Sequence, residues 1–487
     1  MAPEIILICI VVYFAILLSI SYVTGKKADS RAYFIGNKQS PWYLVAFGLI
    51  GDSLSGVTFI SVPGAVGNDK FSYIQIVLGY LLGYYVIAKI LLPMYYRLNL
   101  VSIYSYLCQR FGSTSEKTGS FFFLISRLIG AAFRLYISVA VLQIFIFDKW
   151  GVPFWLTSSI IIILILIYTY KGGIKTLVWT DSVQSGFLLL GVILSIIVIA
   201  SSLNLGFFEM FSTIKDSQYS QIFFWDWQEK NFFFKQFLSG AFIAIVMTGL
   251  DQNMMQKTLS VKSLPEAQKN IYSYSIISVV VNIFFVSLGA LLFIFATTKG
   301  IQIPAKTDEL FPMLALNELG IFAAIAFILG ITAATFSSAD SVLTTLTTSF
   351  CIDFLKINSN DESQKQKRTR HLVHISFAVI LLAIIIIFRE INNSAVITAV
   401  FTVAGYTYGP LLGLFAFGMF TKINIKDKFV WLVCLISPIL CYILNLYSTI
   451  LLGGYKFGFE ILLLNGLLTF LGLYILKIRN PNKLQNT

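Results

Sequence analysis

Two stretches of this sequence combine residue types that can hold a bare cation without a carboxylate cage. Gly48, Gly51, Ser53, Ser55 and Gly56, then Pro63-Gly64, fall inside one apolar run over 42–66. Glycines and hydroxyls this dense predict a helix that unwinds, which a bilayer tolerates only where the freed backbone lines a cavity within protein. The second stretch, Thr332-Ala333-Ala334-Thr335-Phe336-Ser337-Ser338-Ala339-Asp340-Ser341, puts hydroxyls at 337 and 338 and a third one turn on at 341, on one helical face. Freed carbonyls facing such hydroxyls offer the handful of neutral oxygens that a sodium ion takes. Plainer readings stand beside this one: glycines that let helices approach closely, and serines bonded back to their own helix.

Two arginines add a different chemistry. Arg127 and Arg134 are seven residues apart, hence on one helical face, and at ~1.5 Å per residue the second lies near mid-membrane. An arginine there needs a partner. It either pairs with Asp52, Asp181 or Asp340, or binds an anionic solute through its two-pronged guanidinium.

The elements that must position these groups are transmembrane helices. The 487 residues are 57% hydrophobic and 12% charged, with a mean hydropathy of +0.82, against roughly 25% charged in soluble domains. Apolar runs near 4–24, 42–66, 72–96, 118–147, 154–170, 177–203, 234–252, 270–298, 309–355, 371–388, 393–421, 428–447 and 457–476 predict thirteen crossings. The run 309–355 is too long for one span and is expected to open with a short helix near Pro312. The stretch 204–233, with Phe223-Phe224-Trp225-Asp226-Trp227, reads as an interfacial aromatic segment. The N-terminus lacks a basic segment before its apolar run and meets Lys26-Lys27 after it, so this run is expected to stay as a helix rather than be cleaved.

Placing the N-terminus outside and the C-terminus in the cytoplasm puts 23 of the 35 lysines and arginines in cytoplasmic loops, among them Lys257, Lys262 and Lys269, and nine on the other side. The net charge of +12 therefore reflects topology rather than nucleic-acid binding. Cys9, Cys108, Cys351, Cys434 and Cys441 lack metal or redox spacing, and His371 and His374 flank a basic loop. No nucleophile elbow, paired carboxylates or metal constellation points to an enzyme.

A second interruption, at Thr248-Gly249 in the span 234–252, lies five spans after the first. Five is odd, so the two halves, 42–203 and 234–421, have opposite orientations and form an inverted repeat. Broken helices heading two such halves are the sequence pointer to a midplane solute and ion site. The span 4–24 is then an extra N-terminal helix and 428–476 two C-terminal ones, within a single membrane domain covering 1–487.

The chain resembles the sodium:solute symporter family, whose members carry proline, sugars, iodide, monocarboxylates or sialic acid, over essentially its full length. The matching stretches are Ser53-Leu54-Ser55-Gly56 to Pro63-Gly64, Leu92-Pro93-Met94-Tyr95-Tyr96-Arg97-Leu98, and Gly172-Gly173 with Val178-Trp179-Thr180-Asp181. Gln256-Lys257-Thr258-Leu259 with Lys262-Ser263, and the Ser337-Ser338 helix ending at Asp353, complete them. The resemblance implies an all-α polytopic protein with a leucine-transporter-type core of ten helices, one helix before it and two after. It implies a main sodium site of the carbonyls of Gly51, Leu54 and Ala334 and the hydroxyls of Ser337 and Ser338. A second sodium site is implied at Asp181, completed by Asp340 and Ser341; the plainer role for Asp181 is to cap a helix.

For the solute, the resemblance to sialic acid carriers implicates Arg134 with Ser55 and Thr58. Ser53, Gln75 and Thr402 join them as candidate contacts, and Arg127, Thr248 and Tyr406 as further ones. Sugar carriers place amide and acidic groups where this chain has Ser53, Thr58, Val77 and Thr402, and an inner-gate tyrosine where it has Met247. Thr402, Tyr406 and Tyr408, before Gly409-Pro410, are expected to close the outer side. Asp52 has no assigned role: it meets a solute amine, Arg134 or a sodium ion.

The expected function is sodium-coupled uptake of a small organic anion, a carboxylate or sialic-acid-like solute, by alternating access, across the cell membrane. An anion would need two sodium ions to carry net positive charge inward. The alternatives are sodium symport of a neutral sugar or amino acid, or a transporter-like sensor. The partners expected are the solute, Na+ and the lipid bilayer, with no nucleic acid and no obligatory protein partner.

Overall fold

A computed structural model describes residues 3–26, 29–145, 147–357, 363–391, 396–455 and 457–478. Lys27, Lys456, Arg479 and Lys483, used above to orient the chain, lie outside them. Among the described residues the secondary structure is helical, with two isolated β-bridges, Ser40 to Val261 and Ile425 to Lys477.

Each of the thirteen apolar runs is a helix or a helix pair. The first is α1 (Pro3–Gly25). The next is broken into α2 (Trp42–Ser53) and α3 (Gly56–Asp69), which meet at 60°. Then come α4 (Tyr73–Arg97), α5 (Ser113–Phe145), α6 (Phe154–Thr169) and α7 (Gly173–Ser202). The boundary between α6 and α7 is Gly173, at φ 52° and ψ −142°, a conformation that a Cβ would strain. The second broken element is α8 (Phe233–Gly249) with α9 (Gln252–Leu259), bent by 62°. The remainder are α10 (Leu264–Thr298), α11 (Gly320–Phe354), α12 (Gln364–Ile391), α13 (Val396–Phe420), α14 (Val430–Leu446) and α15 (Ile461–Ile475). A short helical segment, Leu310–Met313 continuing to Glu318, precedes α11, at the place expected near Pro312.

Among the described residues nine helices can cross a membrane unaided by length and composition, and the two bent pairs bring this to 11; α6 and α15 are shorter apolar helices. Their lipid-facing sides stay apolar: Ile163, Ile167, Ile197, Ile439 and Leu471 are all exposed. Between helices no hydrophobic effect acts within lipid, so packing relies on small residues. A Cβ on Gly79 of α4 would stand 2.0 Å from the Phe237 carbonyl of α8, and one on Gly240 would stand 2.1 Å from the Ile76 carbonyl of α4. These two glycines interlock the helices on which the central cavity is built.

The second broken element runs further than its apolar pattern. The expected span ended at 252, whereas α9 continues to Leu259 with all eight of its residues buried. Lys257, counted among the cytoplasmic loops, is therefore an interior residue, 1% exposed. Polar residues at 252, 253, 256 and 257 imitate a loop in the sequence because they face other protein rather than lipid.

Candidate functional site

At the first break the chain leaves the helix at Leu54 (φ −92°, ψ 74°) and re-enters after Ser55 (φ −71°, ψ 177°). Among the described residues no hydrogen bond reaches the carbonyls of Gly51 and Leu54. The second break differs: Tyr95 donates to the Gly249 carbonyl (2.8 Å), Tyr104 to Leu250 (3.0 Å) and Arg127 to Met247 (3.3 Å). One break thus has its oxygens capped by side chains, and the other keeps them available.

The hydroxyl helix faces the open break. A Cβ on Gly51 would lie 3.1 Å from Ser337 Oγ and 2.7 Å from Ser185 Oγ, so glycine is the residue that lets α2 reach α11. The Ser185 hydroxyl accepts from the Gly51 N–H (2.8 Å), and Ser338 Oγ lies 3.5 Å from the Asp52 carbonyl. Ala334 is buried one turn before Ser338. Gly51, Asp52, Ser337 and Ser338 thus meet where the unwound segment faces α11.

Asp181, Asp340 and Ser341 also come together. Ser337 donates to Asp181 Oδ1 (3.3 Å), Ser341 Oγ lies 3.5 Å from Asp181 Oδ2, and Tyr168 donates to Asp340 Oδ2 (2.7 Å). Asp181 sits within α7 and caps no helix. At the centre of this cluster stands Lys257: its Nζ is 2.6 Å from Asp181 Oδ2, 2.6 Å from Ser341 Oγ and 3.1 Å from Asp52 Oδ2. Asp52 also accepts from Asn253 (2.7 Å), and its Oδ1 is buried with no hydrogen-bond partner. The partner of Asp52 is therefore Lys257, and not Arg134.

Beside the break lies a cavity of about 90 Å³. Ser53, Ser55 and Thr58 form one wall, Tyr73, Tyr80 and Tyr84 of α4 another, and Arg127, Arg134 and Thr248 are also at its surface. The arginines differ sharply. Arg127 Nε is 2.5 Å from Asp251 Oδ2, which also accepts from Tyr408. Arg134 makes no ion pair or hydrogen bond among the described residues. Asn282 of α10 borders the cavity too, and its Oδ1 is buried without a partner.

Three expected solute contacts lie elsewhere. Gln75 is fully buried but spans the outer loop, donating to the Asn231 carbonyl (2.9 Å) and accepting from the Phe224 N–H (3.3 Å). Thr402 and Tyr406 line a separate groove with Asp69, Lys230 and Asn445, and Asn445 donates to the Tyr406 hydroxyl (3.1 Å). An offset of one or two residues accounts for all three, because neighbours in sequence point to different sides of α4 and α13. Tyr408, expected at the outer side, is buried on Asp251 instead.

Asp251, Asn253 and Lys257 escaped the sequence reading, as did Asn282. The usable signal was the eight residues after Thr248-Gly249, too polar for lipid and too tightly joined to an apolar span to be loop.

Two broken helices meeting at a buried polar cavity are the architecture of a leucine-transporter-type secondary transporter. A solved Na+-coupled sialic acid symporter, in a substrate-bound outward-open state, has this fold: TM-score 0.82, 23% identity, with 97% of each chain covered. The sodium:solute symporter family model matches residues 33–427, and the chain belongs to that family. It is a multi-pass membrane transporter that couples solute movement to sodium, and not an enzyme. Among its curated relatives are the sodium/sialic acid symporters NanT of Aliivibrio fischeri (25% identical; 82% of this chain, 80% of the relative) and SiaT of Proteus mirabilis (26%; 84% and 83%). Human sodium-coupled monocarboxylate transporter 1 is 25% identical over 84% of this chain and 67% of its own.

Proposed function

We propose that this protein takes up a small organic monoanion, a sialic acid or a simpler carboxylate, together with sodium across the cell membrane. The observation that carries the anionic reading is Arg134: a guanidinium bordering the central cavity that makes no ion pair or hydrogen bond among the described residues. A half-buried cation within the membrane that lacks a direct partner is costly and is relieved when a carboxylate arrives. Ser53, Ser55, Thr58, Thr248 and the unpartnered Asn282 Oδ1 surround the same space with groups suited to hydroxyls and amides. Relatives named for sialic acid and for monocarboxylates agree with this chemistry.

In this reading sodium bridges the carbonyls of Gly51, Leu54 and Ala334 to Ser337 and Ser338, joining the first broken helix to α11. The solute binds beside it, against Arg134. Residues 42–203 and 234–421 act as two inverted repeats, with thirteen crossings, an external N-terminus and a cytoplasmic C-terminus. Below the cavity, Asp251 with Arg127 and Tyr408 closes the cytoplasmic side. Above it, Tyr73 borders both the cavity and the groove that holds Thr402 and Tyr406. In this reading the solute enters past Tyr73 from outside, and the cycle needs solute, sodium and bilayer, but neither nucleic acid nor another protein.

A thermal-shift screen of sugars, amino acids, carboxylates and sialic acids, in sodium and in potassium, tests the reading. Stabilisation by acids in sodium only is expected; stabilisation by neutral solutes alone contradicts it.

A further inference from the structure

The cluster around Asp181 has the oxygens of a cation site and already contains a cation. An ammonium carries three N–H donors. Lys257 Nζ meets three acceptors, Asp181 Oδ2 (2.6 Å), Ser341 Oγ (2.6 Å) and Asp52 Oδ2 (3.1 Å). We propose that Lys257 is a tethered cation that takes the place of a second sodium ion, so that the protein binds and moves one sodium per cycle rather than two.

Charge and anchoring both favour this. Asp181 and Asp340 are fully buried and Asp52 is 1% exposed. A sodium ion added at Asp181 would share one carboxylate with the ammonium, and two positive charges a few ångströms apart in a poorly screened interior repel strongly. The lysine has no free route away from the cluster. Its helix, α9, is capped by Asp251, whose side chain accepts from the Met254 N–H (3.1 Å). The adjacent Gln256 amide is fixed to the Phe34 carbonyl (2.7 Å) and to Thr348 Oγ1 (3.0 Å). Within this cluster the carboxylate oxygen without a partner among the described residues, Asp52 Oδ1, belongs to the residue whose carbonyl faces Ser338. The remaining negative charge therefore lies toward the main sodium site.

The proposal rests on the sodium-symport reading and alters its energetics. With a monoanion and a single sodium the loaded carrier moves no net charge, so the sodium concentration gradient drives uptake and the membrane potential does not.

Saturation binding of ²²Na+ to the purified full-length protein, without solute, is the test. The wild type is expected to bind one sodium per chain. Lys257→Met, which empties the ammonium position but leaves the carboxylates, should bind two. Two sites in the wild type, or a single site in a monodisperse Lys257→Met, overturns the tethered-cation proposal alone. Zero sodium bound by the folded wild type overturns the sodium-symport reading itself. If Lys257→Met cannot be recovered folded, the wild-type count decides.

Discussion

Arg127 and Arg134 stand two turns apart on α5, and the sequence treats them alike; their surroundings do not. Arg127 neutralises Asp251 from 2.5 Å, whereas Arg134 forms no ion pair among the described residues. Removing one member of a buried pair leaves the other uncompensated, so Arg127→Ala should destabilise the protein by ~3–5 kcal/mol in a thermal or denaturant titration. Arg134→Ala should leave stability within ~1 kcal/mol of wild type while abolishing stabilisation by acids, since it breaks no direct ion pair or hydrogen bond among the described residues. Unchanged acid binding by Arg134→Ala would contradict the anionic reading. Gly51 is the second residue with a sharp expectation. An added methyl would meet Ser185 Oγ at 2.7 Å and Ser337 Oγ at 3.1 Å. Gly51→Ala should therefore weaken sodium binding ~10-fold, about 1.4 kcal/mol, and Gly51→Ala/Ser185→Ala should recover part of it in the same ²²Na+ titration. The arginine pair and the hydroxyl row were legible because chemically costly residues in apolar runs stand out. Which arginine is satisfied was not, because Asp251 is 124 residues from Arg127 and reaches it only through the second break.

At the scale of elements, the two broken helices are unlike in what surrounds them. Tyrosines and an arginine cap the freed carbonyls of the α8–α9 break, which makes it a structural joint; the α2–α3 break keeps its oxygens for a ligand. Hydrogen bonds to a charged acceptor are worth ~1.5–3 kcal/mol. Tyr408→Phe should accordingly loosen the cytoplasmic seal on Asp251, read as ~10-fold or faster maleimide labelling of Met254→Cys in inside-out vesicles. Equal labelling with and without the Tyr408 hydroxyl would show that this contact does not hold the gate. Gln75 gives the opposite control: Gln75→Ala should raise proteolysis of the outer loop 217–232 and leave solute Kd unchanged, because its amide holds Asn231 and Phe224 rather than the solute. Glycine and hydroxyl clusters announced both breaks in advance. The length of α9 did not show, because a helix buried on all sides by protein can be as polar as a loop.

The whole molecule was the most legible scale. Apolar length marks where helices form, and among the described residues every expected run falls on a helix or helix pair, with the anticipated breaks. Offsets of one or two residues were beyond it: Gln75, Thr402 and Tyr406 sit on the right helices but on the wrong side of them, since a residue turns by about 100° from its neighbour. Lys257 shows the same limit in electrostatics, a charge that looks cytoplasmic in one dimension and lies among three carboxylates in three. The central claim, that sodium at the first break drives the uptake of an organic anion, is tested by uptake into proteoliposomes of a radiolabelled acid chosen from the thermal-shift screen. An inward sodium gradient should concentrate the acid inside, an equal potassium gradient should not, and Ser337→Ala/Ser338→Ala should remove the sodium dependence. Uptake that proceeds equally without sodium, or that keeps its sodium dependence in the double variant, would contradict the account.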